Sequence, residues 1–208
     1  MFYEAGQRDK SLLPRDPFKA IVAPRPIGWI STRSLDGRIN LAPYSFFNAF
    51  SSVPPIVGFS SEGEKDSATF ARESGEFVAN LASFDLMAPM SASSAPLPRG
   101  VSEFEHVGLA MAPCRLVAAP RVAAAHAALE CKVVDVVTLK DRHGAPLDNF
   151  LVIGEVVAFH IDDAMIRNGR FDTAGARPLA RCGYQDYAVV EALVALARPA
   201  GGGGQGAS

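Results

Sequence analysis

Apolar residues occur along the chain mostly in short runs that are rich in β-branched or aromatic side chains and bounded by proline, glycine or aspartate. Such runs predict strands, because an amphipathic helix needs apolar positions three and four apart over a longer stretch. The predicted strands cover residues 20–24, 27–32, 56–60 and 77–81. The pattern therefore indicates a mainly β protein.

The clearest hairpin joins residues 128–140 to residues 150–161 through the turn-rich segment 141–146. Alternation predicts one face of its first arm with Leu129, Cys131, Val133, Val137 and Leu139, and the other with Glu130, Lys132, Val134, Val136 and Thr138. Since both faces carry apolar residues, both need cover, which a closed barrel packed by helices or by a second subunit provides. The pattern thus favours a barrel that forms a homodimer.

Helical patterns are few and short, so helices are expected only at the periphery. The predicted helices cover residues 66–74, 102–106 and 162–168. The first begins with residues that can cap a helix, and the last follows an aspartate and stops at a glycine. Residues 87–98 are rich in serine, alanine and proline, which predicts a surface loop that borders a site.

The composition fits one globular domain with a substantial core. Of 208 residues, 49% are hydrophobic and 20% are charged. Five glycines within the last eight residues predict a flexible tail. We therefore predict an N-terminal extension over residues 1–13, one domain over 14–198 and the glycine-rich tail over 199–208.

Charge and targeting signals point to a cytoplasmic protein. The net charge of −2 gives no electrostatic reason to expect nucleic acid or an anionic membrane as partner. The three cysteines form no CxxC pair, which indicates neither a disulfide framework nor a zinc knuckle. Residues 1–18 show no apolar segment of a signal peptide, and prolines interrupt the long uncharged stretch 39–61.

Several familiar catalytic motifs are missing from the sequence. It contains no GxGxxG after a strand and no GxSxG, and its four histidines lack the spacing of metal ligands. Residues 58–67 come near a phosphate-binding loop, but Glu64 would face the phosphates. We therefore nominate no metal ligand and no catalytic side chain.

Hydroxyl and cationic side chains concentrate between residues 25 and 69, a mixture that suits the binding of one phosphate. They are Ser31, Thr32, Arg33, Ser34, Ser45, Ser60, Ser61, Lys65, Ser67 and Thr69. Beside them, segment 44–50 offers aromatic faces and an amide against which a planar heterocycle could pack. Ordinary edge-strand and core residues explain the same composition about equally well, so the pattern alone leaves both interpretations open.

A set of short motifs in a fixed order resembles the flavin reductase-like family of FMN-binding split-barrel proteins. The early pieces are PRPIGWIST at 24–32, NLAPYSFFN at 40–48, SVPP at 52–55, KDS at 65–67 and FVANL at 77–81. The later pieces are residues 103–105 with 108–109, 129–131, 154–156, 160–162, and Arg181 with Gly183 and Tyr187. Relatives usually carry Arg-x-Gly-Gly-x-x-Tyr at the last piece, whereas here Tyr184 occupies the second glycine position and Cys182 precedes Gly183.

The resemblance implies a mainly β, Greek-key type split β-barrel with a few peripheral helices, which forms a homodimer and holds FMN near the subunit interface. It places Ser31, Thr32, Lys65, Asp66 and Ser67 near the phosphate, and Tyr44, Ser45, Phe46, Phe47 and Asn48 along the flavin. Arg25, Asn80 and Arg181 complete the expected cofactor-binding set.

The implied activity is an NAD(P)H-dependent flavin reductase, in which nicotinamide passes hydride to the flavin and the flavin passes electrons to free flavin, iron or a partner protein. FMN is then the cofactor and NAD(P)H the co-substrate, and no protein nucleophile or metal is required. Two alternatives stay open. One is a flavoredoxin-type electron carrier without NAD(P)H activity, and the other is a binding module that has kept the barrel for a different ligand.

Overall fold

The computed structural model describes residues 1–98 and 101–197, and an antiparallel sheet of seven strands forms its body. The strands are β1 (Arg25–Pro26), β2 (Gly28–Arg33), β3 (Ile39–Tyr44), β4 (Phe47–Ser52), β5 (Pro55–Glu62), β6 (Glu76–Leu81), β7 (Met111–Ala112), β8 (Arg121–Val122), β9 (Ala127–Lys140), β10 (Pro146–Ile161), β11 (Ile166–Arg167), β12 (Arg170–Phe171), β13 (Leu179–Gly183) and β14 (Asp186–Val189). The helices are α1 (Phe18–Ile21), α2 (Asp66–Ser74), α3 (Met87–Ala92), α4 (Glu103–His106) and α5 (Thr173–Ala176). The predicted tail, residues 199–208, lies outside the described residues.

The seven strands follow the order β3-β2-β6-β9-β10-β5-β4, with β3 and β4 at the two edges. Strands β1, β13 and β14 form a second sheet of three strands, and β7–β8 and β11–β12 pair as two-stranded ribbons. The helices are short, from four to nine residues, so the prediction of a mainly β fold with a few short helices is confirmed.

Most of the predicted strands are confirmed, but residues 20–24 are not a strand. The predictions over 27–32, 56–60 and 77–81 match β2, β5 and β6, and the hairpin matches β9 and β10. Residue 20 instead lies in α1, where the N–H groups of Ala20 and Ile21 donate to the carbonyl of Pro17. Residues 20 and 21 belong to this helical turn, and residues 22–24 connect it to β1, where Pro24, which has no N–H, cannot donate a ladder hydrogen bond.

A β-bulge in the long hairpin overturns the predicted faces of its first arm. In β9, Val133 pairs with Gly154 and Asp135 pairs with Ile153, so Val134 is the extra residue. An extra residue exchanges the two faces beyond it. Val133 and Val136 therefore both pack on the core, while Val137, predicted on the face of Leu129, is 37% exposed.

The helix predictions succeed in two of three places. Helix α2 has the predicted bounds 66–74, and α4 begins directly after residue 102, which lies in the N-cap position. Residues 162–168 form only a 3-10 turn, because Asn168 and Gly169 have φ of 52° and 71° and connect β11 to β12 in a tight hairpin. Of the predicted loop 87–98, residues 87–92 form α3. Within the described residues, no helix has the length and apolar character that crossing a bilayer requires.

Strand β2 separates two apolar cores because its side chains alternate between its two faces. Ile30 belongs to the core between the large sheet and α2, which also contains Phe59 and Phe77. Trp29 points the other way, into a core that includes Leu41. Trp29, Ile30, Ser31 and Thr32 of strand β2 are therefore buried, whereas its neighbour β3 contributes side chains to a surface cleft.

The first core leaves no room for a side chain at position 154. A Cβ built on Gly154 would lie 2.5 Å from Cε1 of Phe77 and 3.2 Å from Cβ of Cys131, both of which are fully buried. We expect Gly154→Ala to lower the free energy of unfolding by about 1 to 3 kcal/mol, as is usual for overpacking. Urea denaturation of the variant measures this loss.

The Phe77→Leu background provides the matched control for Gly154→Ala, because it removes the ring that the methyl group meets. In that background, Gly154→Ala should lower the free energy of unfolding much less than in the wild type. A double-mutant cycle detects this difference as a coupling between the two positions. Equal costs in both backgrounds would contradict the steric explanation.

Candidate functional site

Two adjoining cavities form a cleft along β3. The first, of about 490 Å³, lies between β3, the beginning of α2 and residues 93–97, and we call it the α2 cavity. The second, of about 290 Å³, lies between β3, α1 and β13, and we call it the arginine cavity. Pro43 and Ser94 line both, so the two cavities are neighbouring parts of one cleft.

The N-terminus of α2 opens into the α2 cavity. A turn through Gly63, which has φ of 76°, places Lys65 in the N-cap position of the helix. The Lys65 side chain makes no capping hydrogen bond. Backbone N–H groups in the first turn of a helix have no partner within that helix, and its dipole favours negative charge there. Lys65, Asp66 and Ser67 all line the cavity, as the sequence predicts for a phosphate site.

Buried hydrogen bonds connect α2 to α4 across the floor of this cavity. The Ser67 hydroxyl donates to the Asn40 side-chain oxygen, and Asn40 Nδ2 donates to Glu103 Oε1 at 3.0 Å. Glu103 Oε2 also accepts the N–H of Leu41 at 2.8 Å. Burial raises the pKa of Glu103, while these donors act in the opposite direction. The network fixes the orientation of the Asn40 amide and of the Ser67 hydroxyl.

Tyr44 lines the α2 cavity beside this network and packs its ring against Phe59, with 4.8 Å between the ring centroids. Burial raises the pKa of the Tyr44 phenol, against hydrogen bonds to Ser67 and Ser61 that lower it. The phenol therefore stays neutral at physiological pH and keeps a proton to donate.

The arginine cavity brings together two arginines from paired strands. Arg25 of β1 lies opposite Arg181 of β13 in the sheet register, and both line the cavity with Lys19 and Ser45. Nη1 of Arg25 donates to the carbonyls of Lys19 and Val22. The cavity is thus cationic, in contrast to the mixed charges of the α2 cavity.

Three predicted ligands lie away from the cleft, although they are buried. Asn80 Nδ2 donates to Ser31 Oγ at 3.1 Å, Ser31 Oγ donates to the Pro120 carbonyl, and Asn80 Oδ1 accepts the N–H of Val122. This network fastens the 120–122 segment onto β2 and β6 and occupies both side chains. Thr32 is also fully buried and its hydroxyl has no hydrogen-bond partner, but it does not line either cavity.

Of the predicted aromatic segment, Tyr44 and Ser45 line the cleft and the next three residues do not. The Phe46 ring is 40% exposed and lies 5.7 Å from both Lys19 Nζ and the Arg25 guanidinium. Phe47 packs over Gly28, where a Cβ would lie 2.5 Å from its ring. Asn48 is exposed on edge strand β4, and its side-chain oxygen accepts the N–H of Ala49.

Residue-by-residue interpretation missed several lining residues. Asn40 and Glu103 stand in the quoted motifs, but a contact between positions 63 apart leaves no trace in a single sequence. Residues 93–97 lie within the segment predicted to border a site, and they do line the α2 cavity. Lys19 carries no local signal, because only the packing of α1 against β13 brings it to the cavity.

A separate cluster on the other side of the sheet ties the 114–117 segment to the barrel. The Glu130 carboxylate is fully buried and accepts the N–H groups of Arg115, Leu116 and Val117 at 2.9, 2.6 and 3.0 Å. It also bonds His160 Nε2 at 2.6 Å. The donor atoms of Cys114, Glu130 and His160 lie within 4.8 Å of one another, a grouping that the spacing of the histidines did not reveal.

The thiols of this region are poor nucleophiles. Burial, followed by the nearby Glu130 charge, raises the pKa of Cys114 to about 12. Burial likewise raises the pKa of Cys131, which is fully inaccessible. Because the thiolate is the reactive form, both residues act as small apolar groups at neutral pH.

Comparison with known proteins places the chain in a family. The sequence profile of the flavin reductase like domain matches residues 22–179. The chain belongs to the flavin reductase-like family. An uncharacterised protein of Halalkalibacterium halodurans is 36% identical over 183 residues, which cover 86% of this chain and 87% of that protein.

Solved structures agree with the family. Nitrilotriacetate monooxygenase component B from Bacillus cereus superposes with a TM-score of 0.84 at 27% identity, and the superposed part covers 94% of this chain and 98% of that protein's chain. The flavoredoxin of Desulfovibrio vulgaris superposes with a TM-score of 0.74 at 22% identity, covering 86% and 94%, and shows the fold alone. The predicted family and the split-barrel fold are both confirmed.

Proposed function

We propose that the cleft binds FMN and that the protein is an oxidoreductase that passes hydride from NAD(P)H to this flavin. The observation that carries the proposal is the uncapped N-terminus of α2 with Lys65, which stands at one end of a cleft whose wall continues along β3 to Tyr44 and Ser45. The helix N-terminus with its neighbouring lysine suits a phosphate. The cleft that continues along β3 suits a planar heterocycle.

The residues of the cleft fit FMN. Lys65 and the first-turn N–H groups of α2, including that of Ser67, would hold the phosphate through charge-assisted hydrogen bonds. Asn40 and the neutral Tyr44 phenol would hydrogen-bond the polar chain and the ring edge, and Ser45 would reach the ring from the arginine cavity. The α2 cavity alone, at about 490 Å³, has the size of a ligand pocket.

The protein's part in the reaction is to bind and orient. When bound, the flavin accepts a hydride and returns electrons one or two at a time, so the chain needs no acid, base or nucleophile of its own. Accordingly, the polar groups along the cleft are fixed by hydrogen bonds among themselves, as the Ser67, Asn40 and Glu103 network shows. Preorganised groups of this kind reduce the entropy lost on binding.

We also propose a homodimer, on the basis of apolar side chains that are left exposed along the sheet. Phe50 on edge strand β4 is 57% exposed, and Phe159 and Val134 of the long hairpin are exposed to a similar degree. An edge strand with exposed aromatic residues is a template for association unless another surface covers it. We expect light scattering to give the mass of two chains, and a mass of one chain would contradict this assembly. The cytoplasmic setting stays a prediction.

The experiment that tests the proposed function has two steps. FMN and FAD are titrated into flavin-free protein, and the FMN-loaded protein is then mixed anaerobically with NADH or NADPH while the flavin absorbance is followed. We expect FMN to bind and the absorbance to bleach within seconds. FMN binding without bleaching would instead support the electron carrier, as in a flavoredoxin, and the absence of flavin binding would support a module for another ligand.

A further inference from the structure

Three cationic side chains converge on the arginine cavity without a carboxylate to neutralise them. Lys19, Arg25 and Arg181 line it, and its other lining residues are apolar, aromatic, serine or glycine. Among residues 1–98 and 101–197, no ion pair within 4 Å joins any of the three to an acidic side chain. In a chain with a net charge of −2, this local excess of positive charge is an exception.

Arg25 is the most constrained of these cations. It is only 6% exposed, its Nη1 donates to two carbonyls at the end of α1, and its Nε has no hydrogen-bond partner. A buried guanidinium is costly unless a counter-charge and further acceptors complete its surroundings. Since the described residues supply no counter-charge, a ligand that brings an anionic group would supply it.

Close packing of α1 on β13 sets the spacing of the three cations. Gly183 has φ of 98°, and a Cβ built on it would lie 2.8 Å from the backbone of Ala20. The backbones of the two elements therefore touch, which brings Lys19 and Arg181 to the same cavity. Arg181 is itself held by the Tyr184 carbonyl and by the Tyr187 ring, 4.4 Å from its guanidinium.

We propose that the arginine cavity binds the carboxylate of a small planar organic acid. A guanidinium fork matches a carboxylate with two parallel hydrogen bonds. Ile27, Met90 and the Tyr187 ring provide apolar and aromatic walls for the rest of the molecule. A volume of about 290 Å³ admits a single substituted ring and excludes a whole dinucleotide.

This subsite adjoins the proposed flavin site through Pro43 and Ser94, so the acid would be held beside the cofactor. Only the statement that the acid lies beside FMN rests on the proposed function. The proposal assigns small planar acids as the class of molecule that the protein brings to its flavin, whereas binding of the acid to the arginine cavity needs only the described residues.

Calorimetric titration with benzoate and with benzamide tests the proposal on flavin-free and on FMN-loaded protein. We expect benzoate to bind at least tenfold more tightly than benzamide, because only benzoate carries the charge. Arg181→Gln and Lys19→Gln should each weaken benzoate binding about tenfold and leave benzamide binding unchanged. Arg142→Gln, which removes an exposed arginine at the tip of the long hairpin, is the matched control and should change neither.

Three results would overturn the proposal. One is equal affinity for benzoate and benzamide. Another is tighter binding of inorganic phosphate than of benzoate to the arginine cavity, which would assign the cavity to a nucleotide phosphate. The third is a loss of FMN affinity in Arg181→Gln as large as that in Lys65→Ala, which would make this cavity the phosphate end of the flavin site. Benzoate binding to a protein that takes up no FMN would leave this inference standing while refuting the proposed function.

Discussion

Replacing Glu130 by glutamine is expected to lower the free energy of unfolding by about 3 to 5 kcal/mol. The carboxylate accepts three backbone N–H groups and contacts His160, and the amide nitrogen of glutamine would face donors where an acceptor is needed. At least one backbone N–H group would lose its acceptor, at a cost of about 1 to 3 kcal/mol, and the remaining hydrogen bonds would lose the charge of the carboxylate that strengthens them. Urea denaturation at pH 7 measures the loss.

The pH dependence of this difference identifies its cause. Burial alone raises the pKa of Glu130, but the N–H donors of Arg115 and Leu116, with His160 and Val117, outweigh it and leave the folded-state pKa lowered. A carboxylate of this kind stabilises the fold fully above its unfolded pKa, about 4.3, and the contribution is lost as the pH falls through the folded-state value. The difference in the free energy of unfolding between wild type and Glu130→Gln should therefore become smaller as the pH is lowered. Glu105→Gln, at an exposed glutamate, should stay within about 0.5 kcal/mol of wild type at every pH.

Removing the Lys65 side chain is expected to weaken FMN binding by about 1.5 to 3 kcal/mol, or roughly 10- to 150-fold. This is the range for a hydrogen bond to a charged group, which we assign to the ammonium and the flavin phosphate. Lys65 makes no capping bond to α2, so Lys65→Ala should leave the helix and the thermal midpoint of unfolding unchanged. Titration of flavin-free protein, followed by quenching of FMN fluorescence, gives the affinity.

The controls for Lys65→Ala separate a specific contact from general charge. Lys140→Ala removes an exposed lysine from the end of β9 and should not change the FMN affinity. Lys65→Arg should recover most of the affinity, and the difference between wild type and Lys65→Ala should shrink as the salt concentration rises. An affinity that stays the same in Lys65→Ala would remove Lys65 from the set of phosphate ligands.

The sequence predicts most of the fold because the strands carry local signals. Strand β6 and the long hairpin are apolar runs between turn residues, and α2 has a start signal and a glycine after its last residue. The bulge at Val134 escapes such analysis, since the residue responsible looks like its neighbours and only the pairing with β10 shows the extra position. The strand predicted over residues 20–24 fails for a similar reason, because hydrogen bonds to Pro17 place Ala20 and Ile21 in a helical turn.

The candidate site is predicted less completely than the fold. Lys65, Asp66 and Ser67 are found because they are adjacent at the beginning of a helix, and such a motif can be recognised without knowing the fold. Ser31 and Asn80 have the right chemistry, but the direction of their side chains on β2 and β6 sends them into a network that holds another segment. Lys19 was overlooked because its role depends on the contact between α1 and β13, which are far apart in the chain.

The contact between Gly183 and Ala20 makes the beginning of the chain part of the binding chemistry. Residues 18–22 supply both a cation of the arginine cavity and the carbonyls that orient Arg25. Shortening the protein to its barrel strands would preserve the large sheet and remove these groups. A minimal version for engineering should therefore retain the first turn of helix, and insertions or fusions are better placed at the tip of the long hairpin.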